Sequence, residues 1–299
     1  MRVITILNRD GGTLKTSDLN DLEQLIRLEF AAAGHSIAVR NCAGAELTAQ
    51  LRAAFKDDSC DCVLVGGGDG SISAGAAMAF ETGKTLGVLP AGTMNFFARS
   101  LGIPLAVDQA VAALATGKVV AVDIATANGR PFIHQFAAGL QPRMVAERER
   151  QAYRSRLQKI FASAYALLRQ LRRPPALRVT ISADESIIPA RVSVLSITNN
   201  PFGEGHLPYA NSVDSGLLGV YFSHARSSAA TAQLAADIAL GTWRNNSDVV
   251  EQTATRSTAT FARLSRRAKA TIDGELVPLE KVVEFEIHPR ALHVIAPMT

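Results

Sequence analysis

Short apolar runs alternate with amphipathic stretches along the N-terminal third of the chain. Val3 to Leu7 reads as a strand. Leu19, Leu22, Leu25, Ile26 and Leu28 recur at helical spacing and predict a helix over 17–33, which Gly34 stops. A second strand is predicted over 37–39, a second helix over 45–55 and a third strand over 62–65. A small-residue helix over 71–81 and a fourth strand over 85–89 follow. Strands that are continuously apolar and separated by helices argue for a parallel sheet covered on both faces. Ligands of such sheets sit beyond the carboxyl ends of the strands. Two glycine-bearing segments, 66–70 and 90–95, fall there.

The texture changes around 119–124. Asn128-Gly129 is a hairpin signal between apolar runs. Strands are predicted over 177–183, 187–198, 217–222, 268–272 and 282–287, many with alternating polarity. The fold expected is an α/β N-terminal domain with a parallel sheet, followed by a mostly β C-terminal domain, a sandwich or flattened barrel. The boundary is placed near 123, giving domains at 1–123 and 124–288, with the tail 289–299 packing back on the first. One helix is expected to interrupt the β domain, over 145–171. Its apolar face carries Leu157, Ile160, Phe161, Ala164, Leu168 and Leu171, and arginines crowd the remainder. That pattern suits a membrane surface as well as a core-facing helix with a solvated basic side.

Composition narrows the class. The chain has 299 residues, 47% of them hydrophobic, enough for a sizeable core. A net charge of only +4 does not predict nucleic-acid binding, and it fits anionic ligands or an acidic membrane surface. Cys42, Cys60 and Cys62 are an odd set without framework spacing, which suggests reduced thiols in a cytoplasmic protein, and the Cys60-x-Cys62 pair, a poor metal site, reads as buried or half-buried thiols. The first residues resemble a strand more than a signal peptide. No stretch offers the roughly 20 apolar residues of a spanning helix, so contact with lipid is expected from outside the bilayer, peripherally on the inner face.

The candidate chemistry lies in the glycine segments. Gly66, Gly67, Gly68, Asp69, Gly70 and Ser71 follow the third strand. Without Cβ atoms the backbone approaches a bulky anion closely, and a helix starting at Ser71 adds partial positive charge. Asp69 is the informative residue. A carboxylate near phosphates is repelled unless a cation intervenes, and Mg²⁺ carried by a nucleotide supplies one. The competing reading makes Asp69 a helix cap in a tight turn. The second segment, LPAGTMNFFARSLGIP from Leu89, brings Thr93, Asn95 and Arg99 to a neighbouring strand end.

GGGDGS followed by LPAGTMNFFAR resembles the diacylglycerol kinase catalytic domain family, which includes bacterial lipid kinases and sphingosine and ceramide kinases. The resemblance runs through Ile6-Leu7-Asn8 with Gly11-Gly12, FIHQFAAGL from Phe132, Thr198-Asn199-Asn200-Pro201, and TIDGELV from Thr271. It implies an N-terminal domain that binds ATP through Gly66 to Ser71, with Asn8, Thr93, Asn95 and, more loosely, Asn41 nearby. It implies a β-sandwich that holds a lipid, with Glu275 as general base and Asp273 beside it. Asp69 would assist through Mg²⁺ or by orienting the acceptor hydroxyl.

The chain departs from the family pattern in places. Phe96 stands where the family segment has an aspartate. Ser215 stands at the aspartate of the family's accessory Mg²⁺ loop, with Asp214 adjacent as a substitute ligand. Arg9 and Ser71 replace a proline and a threonine. His134 and His206 read as satisfied polar residues.

The function these observations favour is an ATP- and Mg²⁺-dependent kinase of diacylglycerol or a related lipid. Its partners would be a lipid at the membrane surface and no nucleic acid, with a homodimer compatible. Two other readings compete: a lipid-binding regulator on the same fold, and a kinase of a soluble acceptor related to NAD kinases and phosphofructokinases.

Overall fold

The computed structural model describes residues 1–150, 175–204 and 209–298. The N-terminal part alternates β1 (Arg2–Asn8), α1 (Leu19–Ala32), β2 (Ser36–Cys42), α2 (Leu47–Lys56), β3 (Cys62–Gly67), α3 (Asp69–Thr82) and β4 (Thr85–Pro90). Asp18 caps α1 by accepting from the Asn20 and Asp21 amides, worth about 1 kcal/mol. β1 pairs in parallel with β2 and β3, and β3 with β4. Every residue of β3 is buried, as a strand covered on both faces requires. Two short helices follow, α4 (Phe96–Ser100) and α5 (Val107–Ala115).

The rest is mostly β. In order come β5 (Lys118–Ala127), β6 (Arg130–Phe132), β7 (Gln135–Gly139), α6 (Leu140–Arg150), β8 (Leu177–Ala183), β9 (Ser186–Val192), β10 (Val194–Asn199) and β11 (Leu218–Ser223). Then follow α7 (Ser228–Leu240), β12 (Val249–Ala254), β13 (Arg256–Phe261), β14 (Lys269–Ile272), β15 (Glu275–Pro278) and β16 (Val282–Ala296).

Two long strands join the halves. β5 and β16 run antiparallel along most of their length, with a register shift between His288 and Leu292. Beyond the shift, Val294 pairs in parallel with Leu86 of β4. Leu292, Val294 and Ile295 are fully buried in the first hydrophobic core, among Ile6, Leu64 and Val88. Before the shift, β16 pairs with β13, and β8 and β9 complete the sheet. A second, antiparallel sheet has the order β12-β11-β10-β7-β14-β15. The second core lies between the two, with Phe132, Phe222, Phe261 and Phe285 fully buried or nearly so. The structure is thus an α/β domain on a mainly parallel sheet with an antiparallel β domain following it.

Several sequence expectations are corrected. Residues 187–198 are not one strand. β9 has an alternating burial pattern, whereas β10 is buried almost throughout. The chain changes sheet at buried Ser193, whose amide donates to the Ser223 carbonyl at 2.9 Å. The described part of the helix expected over 145–171 belongs to α6, which starts earlier, at Leu140; residues 151–171 lie outside the described residues. A further helix, α7, was missed although it carries both end signals. Ser227 accepts from the Ala230 amide, and Gly241 ends it at φ 74°. The Ser/Thr-rich stretch 253–260 runs from the end of β12 into β13. All three cysteines are free, as expected, and all are buried, Cys42 included; burial pushes the Cys62 thiol far above the ordinary thiol range.

The Phe285 ring packs edge-on against Phe136 at 4.9 Å between centroids, so it couples the facing sheets. Phe285→Ala should lower unfolding free energy by about 3–5 kcal/mol in denaturant titration; a loss below about 1 kcal/mol would contradict this packing role.

Candidate functional site

The glycine segment at the end of β3 is shaped by close approach. A Cβ on Gly66 would stand 2.5 Å from Leu7 Cδ2, and one on Gly67 would stand 2.6 Å from Ser71 Cβ. These two glycines serve packing. Gly68 and Gly70 differ: a Cβ on Gly68 would make only ordinary contact with Gly92, and one on Gly70 would meet nothing within 4 Å. Gly68 precedes α3 with an extended backbone. The open face at the start of the 14-residue α3 is therefore at Gly68, Asp69 and Gly70.

Asp69 staples the second segment to the first. Its Oδ2 accepts the Asn95 amide at 3.0 Å and its Oδ1 accepts the Phe96 amide at 2.8 Å. Asn95, buried and in the left-handed region at φ 52°, bonds Gly92 through both side-chain atoms. Asp69 thus caps a helix, but α4 rather than the helix it opens. Asn8 donates to the Ser71 hydroxyl at 3.0 Å, tying the end of β1 to α3. Thr93 is exposed at the rim. Asn41, at the carboxyl end of β2, is exposed and lies outside the cleft lining.

From the other domain comes the Asp273-Gly274-Glu275 turn, with Asp273 at φ 47° and Gly274 at φ 84°. Asp273 is saturated. Its Oδ2 accepts the Ile133 amide at 3.0 Å and the Ser73 hydroxyl at 2.6 Å. Its Oδ1 accepts the His134 and Gln135 amides at 2.9 and 3.0 Å. Because Ser73 lies on α3, this carboxylate clamps the β domain onto α3. Glu275 is free of such duties. Its carboxylate is 72% exposed and pairs with Arg130 at 2.7 Å.

These pieces enclose a cleft of about 660 Å³, lined by Gly68, Asp69, Gly70, Thr93, Asn95 and Phe96 on one side and His134, Asp273 and Glu275 on the other. His134 corrects its expectation as a satisfied residue. Its Nε2 is buried without a hydrogen-bond partner, and the ring lies against Phe96 at 4.3 Å between centroids. Burial pushes the imidazole below the usual histidine range, and the Asp273 and Asp69 carboxylates oppose that shift.

A second cavity adjoins the first. An apolar groove of about 340 Å³ runs between α7 and the outer face of the second sheet, lined by Val194, Tyr221, Leu234, Ile238, Trp243 and Val249 among others. Phe96, Gln135 and Gln141 line both cavities. Arg244 holds the floor together. It pairs with Glu251 at 2.9 Å, donates to the Phe202 and Gly203 carbonyls, and lies over Trp243. Neither α7 nor Arg244 was singled out from sequence, although the capping residues of α7 were visible there.

Asp214 lies elsewhere. It accepts from Ser212 at 2.7 Å and faces Arg290 at 4.0 Å. The neighbouring Ser215 and Gly216 are held by Asn200 and buried Asp123. No group of three potential metal-ligating side chains occurs among the described residues.

Comparison with known proteins agrees with the motif resemblance. The family model described as the diacylglycerol kinase catalytic domain matches residues 2–127. The chain is 25% identical over 242 residues to an uncharacterized Synechocystis protein, spanning 79% of this chain and 55% of that protein. It is 41% identical over 90 residues to a Citrobacter koseri protein named probable lipid kinase YegS-like, spanning 28% of this chain and 30% of that one. The chain therefore spans about half or less of the length of these curated relatives. A Bacillus anthracis structure named as a diacylglycerol kinase superposes with a TM-score of 0.71 at 19% identity, covering 99% of this chain and 96% of that one. A related Bacillus anthracis structure gives 0.75 at 22%, covering 99% and 97%. The resemblance to the diacylglycerol kinase catalytic domain holds, and the fold is of that type.

The clamp and the rim carboxylate should separate in stability measurements. Asp273→Ala should cost at least about 3 kcal/mol, since four donors lose a charged acceptor. Glu275→Ala should cost under about 1 kcal/mol, the range of an exposed ion pair. Equal losses in chemical denaturation would contradict the division of roles.

Proposed function

We propose that this chain is an ATP- and Mg²⁺-dependent lipid kinase, transferring the γ-phosphate to a hydroxyl of diacylglycerol or a related lipid. The observation that carries this reading is the union of a cleft edged by glycine loops and the Asp69, Asp273 and Glu275 carboxylates with an apolar groove, through the shared residues Phe96, Gln135 and Gln141.

The residues fit a nucleotide's phosphates. Gly68 and Gly70 leave room for close approach, and the α3 amides with their aligned dipole favour an anion there. Thr93 would add a hydroxyl from the rim. Asp69 suits an Mg²⁺ that arrives with the phosphates, because each of its oxygens accepts one backbone amide and keeps a lone pair free. Bound there, Mg²⁺ would neutralise charge on the transferring phosphoryl group.

The remaining work is positioning and proton transfer. Glu275, exposed at the cleft and oriented by Arg130, is proposed to take the proton of the attacking hydroxyl as its oxygen bonds to phosphorus and the bond to ADP breaks. Asp273 holds His134, Gln135 and the turn in place rather than taking the proton itself, since its oxygens are occupied. The acyl portion would lie in the groove. Ile238 lines it and is 44% exposed, and Leu240 beside it is 65% exposed, so a lipid could enter from a membrane surface at this end of α7. Among the described residues no helix is long and apolar enough to cross a membrane, which suits peripheral contact.

The test is transfer of labelled γ-phosphate from Mg-ATP to a total lipid extract in detergent, resolved by chromatography. Wild type should label a lipid. Asp69→Ala and Glu275→Gln should each reduce the rate about 100-fold or more, with Glu275→Gln keeping the wild-type melting temperature. No labelled lipid would overturn the reading, and normal turnover in a folded Glu275→Gln variant would remove the base assignment.

A further inference from the structure

We infer that one end of the β domain, where β8 begins, β9 closes and a turn joins β13 to β14, is a docking surface for an anionic lipid bilayer. The choice of a bilayer rests on the lipid-kinase reading, whereas the binding itself needs no turnover.

Strand register gathers cations at this end. Arg178 of β8 and Arg191 of β9 are direct partners in the antiparallel ladder, so their side chains share one face. The Ala262 amide donates to the Arg178 carbonyl at 2.9 Å, which sets Arg263 at the same end. The Phe261 amide donates to the Lys281 carbonyl at 2.8 Å, and Lys269 pairs with Pro278 where β14 begins. Between them, Arg266 and Arg267 fill both central positions of a tight turn, closed by the Ala268 amide on the Ser265 carbonyl at 2.9 Å. Leu264 packs against the second core and fixes this turn to the sheets. All of these cations are exposed.

The fold gives these cations no counter-charge. None of them forms an ion pair among the described residues. Like charges directly opposite each other destabilise a strand pair, and turn centres ordinarily carry Gly, Pro, Asn or Asp. Glu280, next to Lys281, accepts instead from Asn128 Nδ2 at 3.0 Å. Asp184 and Glu286 stand toward the other end of the same strands, and Glu286 pairs with Arg256 there. The sequence 151–174 contains no aspartate or glutamate. An anionic bilayer supplies the missing charge, and its pull on Lys and Arg acts within a Debye length of the surface. Val282, an apolar side chain 41% exposed, stands beside Lys281. Phe261 is fully buried, so it offers no platform to stack a nucleic-acid base. The cationic end also borders the apolar groove. Two residues after Arg191, the Ser193 amide donates to the Ser223 carbonyl at 2.9 Å, and Val194 and Ser223 line the groove.

The experiment is flotation of the protein with vesicles of phosphatidylcholine alone, or of phosphatidylcholine with about 30% phosphatidylglycerol. Wild type should bind the anionic vesicles about tenfold or more tightly than the neutral ones, and about 500 mM salt should remove the difference. Arg266→Glu with Arg267→Glu should weaken anionic binding about tenfold or more. Arg52→Glu with Lys56→Glu, an equal change of net charge at exposed positions of α2, should keep wild-type binding. Melting curves check that each variant folds. Both should label lipid at the wild-type rate in uncharged detergent, because none of these residues lines the cleft. Equal binding of wild type to both kinds of vesicle would overturn the inference. So would a folded Arg266→Glu, Arg267→Glu variant with wild-type affinity, or an equal loss in the α2 variant. Preference for a DNA duplex over the anionic vesicles would assign the surface to nucleic acid and overturn the bilayer. Anionic vesicle binding without labelling of any lipid would uphold the docking surface and overturn the kinase reading alone.

Discussion

The site depends on one carboxylate whose two oxygens each accept two hydrogen bonds. Asp273 gathers three consecutive amides, from Ile133 to Gln135, and the Ser73 hydroxyl. The amides lead into β7, and the hydroxyl belongs to α3. Remove this anion and four donors at the junction of two domains lose their acceptor together. Each bond to a charged group is worth about 1.5–3 kcal/mol, more than the exposed Arg130–Glu275 pair nearby is expected to give. The clamp sets the separation between the glycine loops and the turn bearing Glu275, so it sets the width of the cleft.

Asp69 plays the corresponding part within the first domain. It joins the segment after β3 to the segment after β4, and Asn95 closes the latter on Gly92. Two loops at neighbouring strand ends thereby become one surface. The same bond that fixes Phe96 also leaves the open glycines, Gly68 and Gly70, facing the cleft. Structure and proposed chemistry are therefore not separable at Asp69. At Glu275 they are, because that side chain is exposed and holds little in place.

Much of this was legible in the sequence, and what was not has physical reasons. The alternation of the first four strands and three helices follows from local periodicity, and β1 to β4 lie close to where it put them. The two glycine segments and the DGE turn were visible as motifs, and all three line one cleft. The role of Asp273 was not visible, because its partners lie 138 to 200 residues away. Its sequence offers only a hairpin turn. The break at Ser193 was hidden by a run that is apolar on both sides of the change of sheet. His134 was misread because a histidine in an apolar stretch usually finds a partner, and here Nε2 does not. The link between cleft and groove rests on Phe96 and on α7, a helix whose small residues gave no amphipathic stripe to notice.

The most direct test of the account is where a nucleotide sits. Backbone amide NMR of the ¹⁵N-labelled protein, titrated with Mg²⁺ and a non-hydrolysable ATP analogue, reads this residue by residue. The account predicts that the largest shifts fall at Gly68, Asp69 and Gly70, with smaller ones at Thr93 and Asn95, and that the Val249 to Phe261 strands stay silent. Saturable binding that leaves the Gly68–Gly70 amides unmoved would contradict it.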